Sequence, residues 1–122
     1  MNIVFLDRTS IPASHDIPRP SFPHTWTEYD RTLPEETFER TKDADIVVTN
    51  KVVFDRELLS RLPKLKLIAI TATGTNNIDL DAAKDLGIAV KNVPGYSSVA
   101  VPEQVLGMIF SLKHSFIGSH RD

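Results

Sequence analysis

Residues 67–79 have the sequence Leu67-Ile68-Ala69-Ile70-Thr71-Ala72-Thr73-Gly74-Thr75-Asn76-Asn77-Ile78-Asp79, an apolar run that leads through a glycine-containing turn to an acidic residue. The apolar run has the length and the Ile/Leu content of a strand that is buried on both faces, which is typical of parallel sheets. Asp79 can cap a helix over residues 80–86, and Gly87 can supply the left-handed residue that ends it. The stretch therefore predicts a strand–turn–helix unit.

Four further strands are predicted outward from this unit, because short apolar runs recur on both sides of it. The runs lie at residues 3–6, 26–29, 46–48 and 88–90. Residues 8–24 contain four prolines and no helical period, so this first crossover is expected to be an irregular covering loop. The alternation of strands and helices predicts an α/β layered fold, with five parallel strands joined by right-handed crossovers.

Two more helices are marked by local start signals. Thr32 and Glu35 have the spacing of a capping box, with Pro34 in the first turn. Asp55 can cap a helix over residues 56–61. A helix is thus expected before the third, the fourth and the fifth strand.

A long last helix is predicted to begin within residues 98–102 and to run to about residue 117. Its apolar residues cover more than half of its surface. They form a stripe at helical spacing and a group beside it: Val101, Val105, Met108, Leu112 and Phe116 in the stripe, and Leu106, Phe110 and Ile117 beside it. Because one small sheet cannot bury such a helix on all sides, we expect a second domain or a homodimer formed through residues 98–117.

The composition excludes several classes of protein. At 122 residues, 41% of them hydrophobic, the chain can form one domain with one core. A net charge of −2 offers no basic surface for nucleic acid, and no apolar stretch reaches the ~18 residues of a membrane span. The chain has no cysteine, and its His, Asp and Glu residues lack metal-ligand spacing, so no metal site is expected. The cytoplasm is the expected location.

Several stretches together resemble one enzyme family. They lie in the family's order over about the last two thirds of the chain: Val48-Thr49-Asn50-Lys51-Val52, Thr71 to Leu80, Ala82-Ala83, Gly87-Ile88, Val93-Pro94-Gly95, and Tyr96 to Glu103. This set is similar to the D-isomer-specific 2-hydroxyacid dehydrogenases. Within that family, residues 49–52 and 74–77 are most similar to the glycerate dehydrogenase or hydroxypyruvate reductase branch.

The resemblance implies an NAD(P)-dependent oxidoreductase that interconverts 2-oxo acids and D-2-hydroxy acids. It implies that residues 1–97 form the substrate domain, a flavodoxin-like five-stranded parallel sheet. It also implies that residues 98–122 begin the helix that crosses into a Rossmann domain and packs at the dimer interface. The dinucleotide fingerprint and the catalytic arginine, glutamate and histidine of the family come later, so no catalytic residue is expected up to residue 122. The chain is therefore expected to be an N-terminal fragment that is inactive and binds no cofactor alone, whereas the parent enzyme uses NAD or NADP.

The candidate substrate site lies on two loops that follow strands. Ala72, Thr73 and Gly74 form a turn at the carboxyl end of the sheet, where backbone N–H groups can hold a carboxylate. We expect the amides of Thr73 and Gly74 to bind the carboxylate of the 2-oxo acid, since a glycine lets the backbone approach a ligand closely. Asn50 and Lys51 follow the third strand at the same edge, where they can add a hydrogen bond and a positive charge.

Each of these assignments has a structural alternative. The turn can simply lead into the Asp79 cap, and Lys51 can be a solvated loop residue. Ser97 and Val101 match positions near which the family binds the nicotinamide end of its cofactor. Alternatively, Ser97 or Ser98 serves only to start the long helix.

A second function class is a flavodoxin-like signalling or binding module without catalysis. Asp7, Thr71 and Lys91 faintly resemble the residues of a response-regulator receiver. However, Asn50 stands where a receiver needs its phosphoacceptor aspartate, and Arg8 follows Asp7 in place of a second acid. Labelling by acetyl phosphate separates the two classes, because only a receiver accepts the phosphoryl group.

Overall fold

The computed structural model describes residues 1–10, 23–72, 74–92 and 105–109 of the chain. Within these ranges the five predicted strands are confirmed to within two residues: β1 (Asn2–Phe5), β2 (Thr25–Glu28), β3 (Ile46–Thr49), β4 (Leu67–Ile70) and β5 (Ala89–Asn92). All neighbours pair in parallel, in the order β2-β1-β3-β4-β5. This is the flavodoxin-like order that the family resemblance implied.

Three helices connect the later strands: α1 (Pro34–Thr41), α2 (Arg56–Ser60) and α3 (Leu80–Asp85). They pack on one face of the sheet, because right-handed crossovers that step in the same direction lie on the same side. Phe38, Leu59 and Ala82, from one helix each, belong to a single apolar cluster with Val47 and Ile68 of the sheet. Before β2, residues Arg8–Ser10 form a short 3-10 turn.

The predicted caps of α2 and α3 are confirmed. The Asp55 carboxylate accepts the amide of Leu58 at 2.8 Å, and the Asp79 carboxylate accepts the amide of Ala82 at 3.0 Å. Gly87 has a φ of 73°, and the amide of Ile88 reaches back to a carbonyl in the last turn of α3 at 2.8 Å. Each signal is local in sequence, and for this reason each could be identified without the fold.

The predicted start of α1 is wrong by one residue. The cap is Leu33, whose amide donates to the Glu36 carboxylate at 2.9 Å, so the capping box does not join Thr32 to Glu35. The Thr32 hydroxyl instead donates to the carbonyl of Leu6, at 2.7 Å. A buried carbonyl beyond the end of β1 thus takes the hydroxyl that sequence reasoning assigned to the helix.

The second face of the sheet is covered by a helical segment at residues 105–109. Val105 and Met108, two members of the predicted stripe, are buried against the sheet. Ile109 is also buried on this face and was missing from the predicted stripe. It lies one turn after Val105, so helical spacing alone places it on the same side. The predicted apolar helix is therefore confirmed over this segment.

Several predictions fall outside the described residues. They concern the covering loop at residues 11–22, Thr73 of the candidate turn, Ser97, Val101, and the end of the long helix at residues 110–117. Within the described part of the chain, no helix is long and apolar enough to cross a membrane.

Candidate functional site

Polar residues gather at the carboxyl ends of β1 and β3. In the strand order, β2 is the neighbour of β1 on one edge and β3 is its neighbour on the other edge. The direction in which strands are added to the sheet therefore reverses after β2. Such a reversal leaves a crevice at the carboxyl ends of the two strands, which is where open α/β folds bind ligands. Asp7 follows β1 at this point, and Asn50 and Lys51 follow β3.

The Asp7 carboxylate organises the loop that follows β3. The Asp7 residue is buried, with 7% of its surface exposed to solvent. Its two oxygens accept the amide of Asn50 at 2.9 and 3.0 Å, and one of them also accepts the amide of Lys51 at 3.0 Å. The Thr49 hydroxyl lies 3.2 Å from the same oxygen and accepts the amide of Val52 at 3.1 Å. Three successive amides are thus bonded to side chains of the chain itself.

This arrangement changes the expected role of the β3 loop. Backbone amides that converge in a turn often bind an external anion. Here Asp7 already supplies that anion for Asn50 and Lys51. The backbone amides of these two residues are therefore bonded within the fold, and only their side chains remain as the candidate groups named from the sequence.

The candidate turn after β4 lies beside this loop. Thr71 donates its amide to the Thr49 carbonyl at 2.9 Å, which extends the pairing of β3 and β4 by one residue. Ala72 is half-buried and Gly74 is exposed. A Cβ added at Gly74 would meet no atom within 4 Å, and its φ is not left-handed. The fold leaves room for a side chain at Gly74, so the space in front of its backbone is open to a ligand.

Asn77 ties the two loops together, a role that sequence reasoning missed. Its side-chain amide donates to the carbonyl of Val52 at 2.8 Å, and its backbone carbonyl accepts the amide of Phe54 at 2.8 Å. Phe54 and Ile78 also form an isolated parallel bridge. The signal in the sequence was two adjacent asparagines between the turn and the Asp79 cap. These bonds connect the loop that follows β3 to the segment that follows the turn of Gly74.

The Lys51 ammonium group is available to a ligand. The side chain is exposed, and none of the described residues forms an ion pair with it. Lys51 also borders a cavity of about 780 Å³ between α1 and α2, with Leu33, Phe38 and Val53 among its apolar walls. The other described candidates, Asn50, Ala72 and Gly74, do not line this cavity.

Thr71 carries a buried polar atom that the candidate site did not include. The residue is 6% exposed, and its hydroxyl finds no hydrogen-bond partner among the described residues. In the sequence, Thr71 begins one of the stretches that resemble the dehydrogenase family, but it was not among the candidate site residues.

The described residues do not fit a dinucleotide cofactor. Its pyrophosphate needs a helix N-terminus with free amides. Here Asp55 and Asp79 already accept amides in the first turns of α2 and α3. Glu35 and Glu36 place two further carboxylates in the first turn of α1. Each described helix N-terminus is thus occupied by negative charge. The same part of the chain holds no group of three or more residues that could bind a metal ion.

Comparisons with known proteins converge on one family. Residues 6–106 match the catalytic-domain model of the D-isomer specific 2-hydroxyacid dehydrogenases. The chain is 70% identical over its whole length to a putative 2-hydroxyacid dehydrogenase of Haemophilus influenzae, and covers 39% of that protein. It is 44% identical over 116 residues to the glycerate dehydrogenase of Methylorubrum extorquens, with 94% of this chain and 36% of the relative aligned. The chain thus spans less than two fifths of these relatives.

Solved structures agree with the sequence comparisons. An NAD+-bound 3-phosphoglycerate dehydrogenase from Entamoeba histolytica superposes with a TM-score of 0.61 at 26% identity. The match covers 78% of this chain and 33% of that one. These similarities give no support to the signalling module that the sequence analysis kept as its alternative.

Proposed function

The chain belongs to the D-isomer specific 2-hydroxyacid dehydrogenase family, and we propose that it forms the substrate domain of an NAD(P)-dependent oxidoreductase that interconverts 2-oxo acids and D-2-hydroxy acids. Residues 1–97 make up this domain, and residues 98–122 begin the helix that leads to a nucleotide-binding domain. The observation that carries the proposal is the pair of loops after β3 and β4, joined through Asn77, with an exposed lysine on the first and an exposed glycine on the second.

The proposed division of labour follows from what each group can donate. The Lys51 ammonium supplies a point charge to the substrate carboxylate, and the Asn50 side chain can hydrogen-bond a hydroxyl or carbonyl oxygen. The backbone of residues 72–74, with the amides of Thr73 and Gly74, holds the carboxylate in place. Together these groups fix the orientation of C2, which is a positioning effect rather than a chemical step. Ser97 and Val101 are proposed to lie near the nicotinamide end of the cofactor.

Hydroxypyruvate and D-glycerate are the proposed substrate pair. The support is the 44% identity with a glycerate dehydrogenase, together with the sequence of residues 49–52 and 74–77. We further propose that the parent protein is a cytoplasmic homodimer paired through residues 98–117, and that it uses NAD or NADP. The isolated chain is proposed to be inactive, since it corresponds to less than two fifths of its relatives.

A chimaera tests the proposal directly. The chain replaces the matching segment of the Haemophilus influenzae relative, to which it is 70% identical. Oxidation of NADH and of NADPH is then followed with hydroxypyruvate and with a panel of other 2-oxo acids. The unmodified relative and the Methylorubrum extorquens glycerate dehydrogenase serve as controls.

Turnover of hydroxypyruvate by the chimaera, at a kcat/KM comparable to that of the unmodified relative, supports the proposal. A folded chimaera that turns over no 2-oxo acid, while the unmodified relative does, contradicts it. The substrate panel decides between hydroxypyruvate and other 2-oxo acids.

A further inference from the structure

We propose that Asp7 is a positioning residue of this site, which directs a 2-oxo acid to the Lys51 side chain and the 72–74 turn by occupying the amides of the β3 loop. The inference rests on the proposed function and deepens it. Asp7 does not touch the substrate. It acts through Asn50 and Lys51, whose amides it accepts at 2.9 to 3.0 Å.

The geometry explains why a carboxylate is needed at this point. The Asn50 and Lys51 amides point into the crevice between β1 and β3, where they would attract an anion. An internal carboxylate that is 7% exposed takes this place permanently. Anionic substrate is therefore kept off the loop backbone and must bind at the side chains and at the neighbouring turn.

The same bonds join the backbone of the Lys51 loop to the segment that follows the turn of Gly74. Asp7 fixes the start of the loop, and Thr49 fixes the amide of Val52 at 3.1 Å. Asn77 then joins the Val52 carbonyl to the second loop at 2.8 Å. A continuous series of bonds runs from the end of β1 to the turn after β4, and Asp7 is its first member.

Asp45 provides a matched control on the same pair of strands. Its carboxylate accepts the amide of Asn2 at 2.7 Å, so it also links β1 to β3 through a backbone amide. It does so at the amino ends of the strands, at the edge of the sheet away from the candidate site. Asp7→Asn and Asp45→Asn both remove a charge-assisted hydrogen bond, but only the first removes it from the loop of Lys51.

The experiment measures kcat and KM for the 2-oxo acid that the chimaera turns over, in the unmodified form and in both variants. Asp7→Asn is expected to raise KM about tenfold or more with a much smaller change in kcat, as the loss of a charge-assisted bond in ligand positioning implies. Asp45→Asn is expected to lower the unfolding temperature and to leave KM unchanged. If Asp7→Asn fails to fold, Thr49→Val, which removes the hydroxyl between Asp7 and Val52, is expected to raise KM severalfold.

The outcomes separate the two proposals. An unmodified chimaera without turnover overturns the proposed function, and the role of Asp7 falls with it. If the unmodified chimaera turns over a 2-oxo acid but KM is unchanged in Asp7→Asn, the inference alone is overturned. If Asp7→Asn does not fold, an unchanged KM in Thr49→Val overturns it in the same way. An equal rise of KM in Asp45→Asn overturns it as well, because the effect would then be one of general stability.

Discussion

At Thr71 the fold buries a hydroxyl group that has no hydrogen-bond partner among the described residues. Valine has nearly the same shape and no group to satisfy. Thr71→Val is therefore expected to raise the free energy of unfolding by on the order of 1 kcal/mol, because an unsatisfied buried polar group costs about that much or more. Urea denaturation of the chain, compared with the unsubstituted protein, measures the change.

Thr41 is the control for this prediction. It is fully buried like Thr71, but its hydroxyl donates to the Thr37 carbonyl at 2.7 Å. Thr41→Val removes a satisfied hydrogen bond and is expected to lower stability. If both substitutions lower stability by the same amount, the Thr71 hydroxyl has a partner in solution and the prediction is wrong.

Substitutions at Gly74 and Gly87 are expected to have different effects, the first on substrate binding and the second on the stability of the fold. Gly74→Val is expected to leave the unfolding temperature almost unchanged, since an added Cβ meets no atom within 4 Å. In the chimaera it is expected to raise KM for the 2-oxo acid at least tenfold, because the side chain fills the approach to the backbone. Gly87 has a φ of 73°, a left-handed conformation in which a valine is strained. Gly87→Val should therefore lower stability without affecting KM.

Those two variants are compared by steady-state kinetics and by thermal unfolding on the same samples. An unchanged KM in Gly74→Val would remove the turn from the substrate site. It would support the alternative in which the turn serves only to lead into the Asp79 cap.

At the scale of elements, α2 and α3 depend on their acidic caps. Asp79→Ala is expected to lower the free energy of unfolding by about 0.5–2 kcal/mol, the usual cost of losing an N-cap side chain. The cap bond to Ala82 measures 3.0 Å, and α3 has only six residues, so few other bonds within the helix support it. Urea denaturation measures the loss.

Asp81 is the matched control for the cap. It lies in the first turn of the same helix and is exposed, but it makes no cap bond. Asp81→Ala removes a charge that favours the helix dipole, and should change stability by no more than roughly 1 kcal/mol at low salt. Equal losses in the two variants would mean that charge, rather than the cap hydrogen bond, stabilises α3.

At the scale of the whole molecule, the two faces of the sheet are covered by different parts of the chain. Helices α1 to α3 cover one face, and the segment at residues 105–109 packs on the other. Ile109 is 0% exposed there. Leu106, on another side of the same segment, is only partly buried. The sheet thus buries one side of this helix and leaves Leu106, on the flank of that side, partly exposed.

Self-association is the consequence that we expect from this arrangement. Sedimentation of the chain over a range of concentrations should show a dimer, because apolar area left in water costs roughly 25 cal/mol per Å². Leu106→Glu should shift the equilibrium towards monomer and retain the fold, whereas Ile109→Ala should destabilise the fold by roughly 2–5 kcal/mol. A monomer at every concentration would contradict the expected pairing through residues 98–117.

Much of the architecture was determined by the sequence itself. The apolar runs predicted all five strands, and the caps Asp55, Asp79 and Gly87 predicted two helices and their ends. These signals are local, since a buried strand and a capped helix each require particular residues within a few positions. The alternation of strands and helices predicted parallel strands with right-handed crossovers, whereas the order of the strands was implied by the family resemblance.

The contacts that build the candidate site were decided only by the tertiary structure. Asp7 meets the Asn50 amide across 43 positions of sequence, and Asn77 meets the Val52 carbonyl across 25. Thr32, a good cap by its residue type, pairs instead with Leu6 across 26 positions. No local pattern specifies such partners. They depend on which strands are neighbours and in what register, because only the assembled sheet brings the ends of β1, β3 and β4 to one edge.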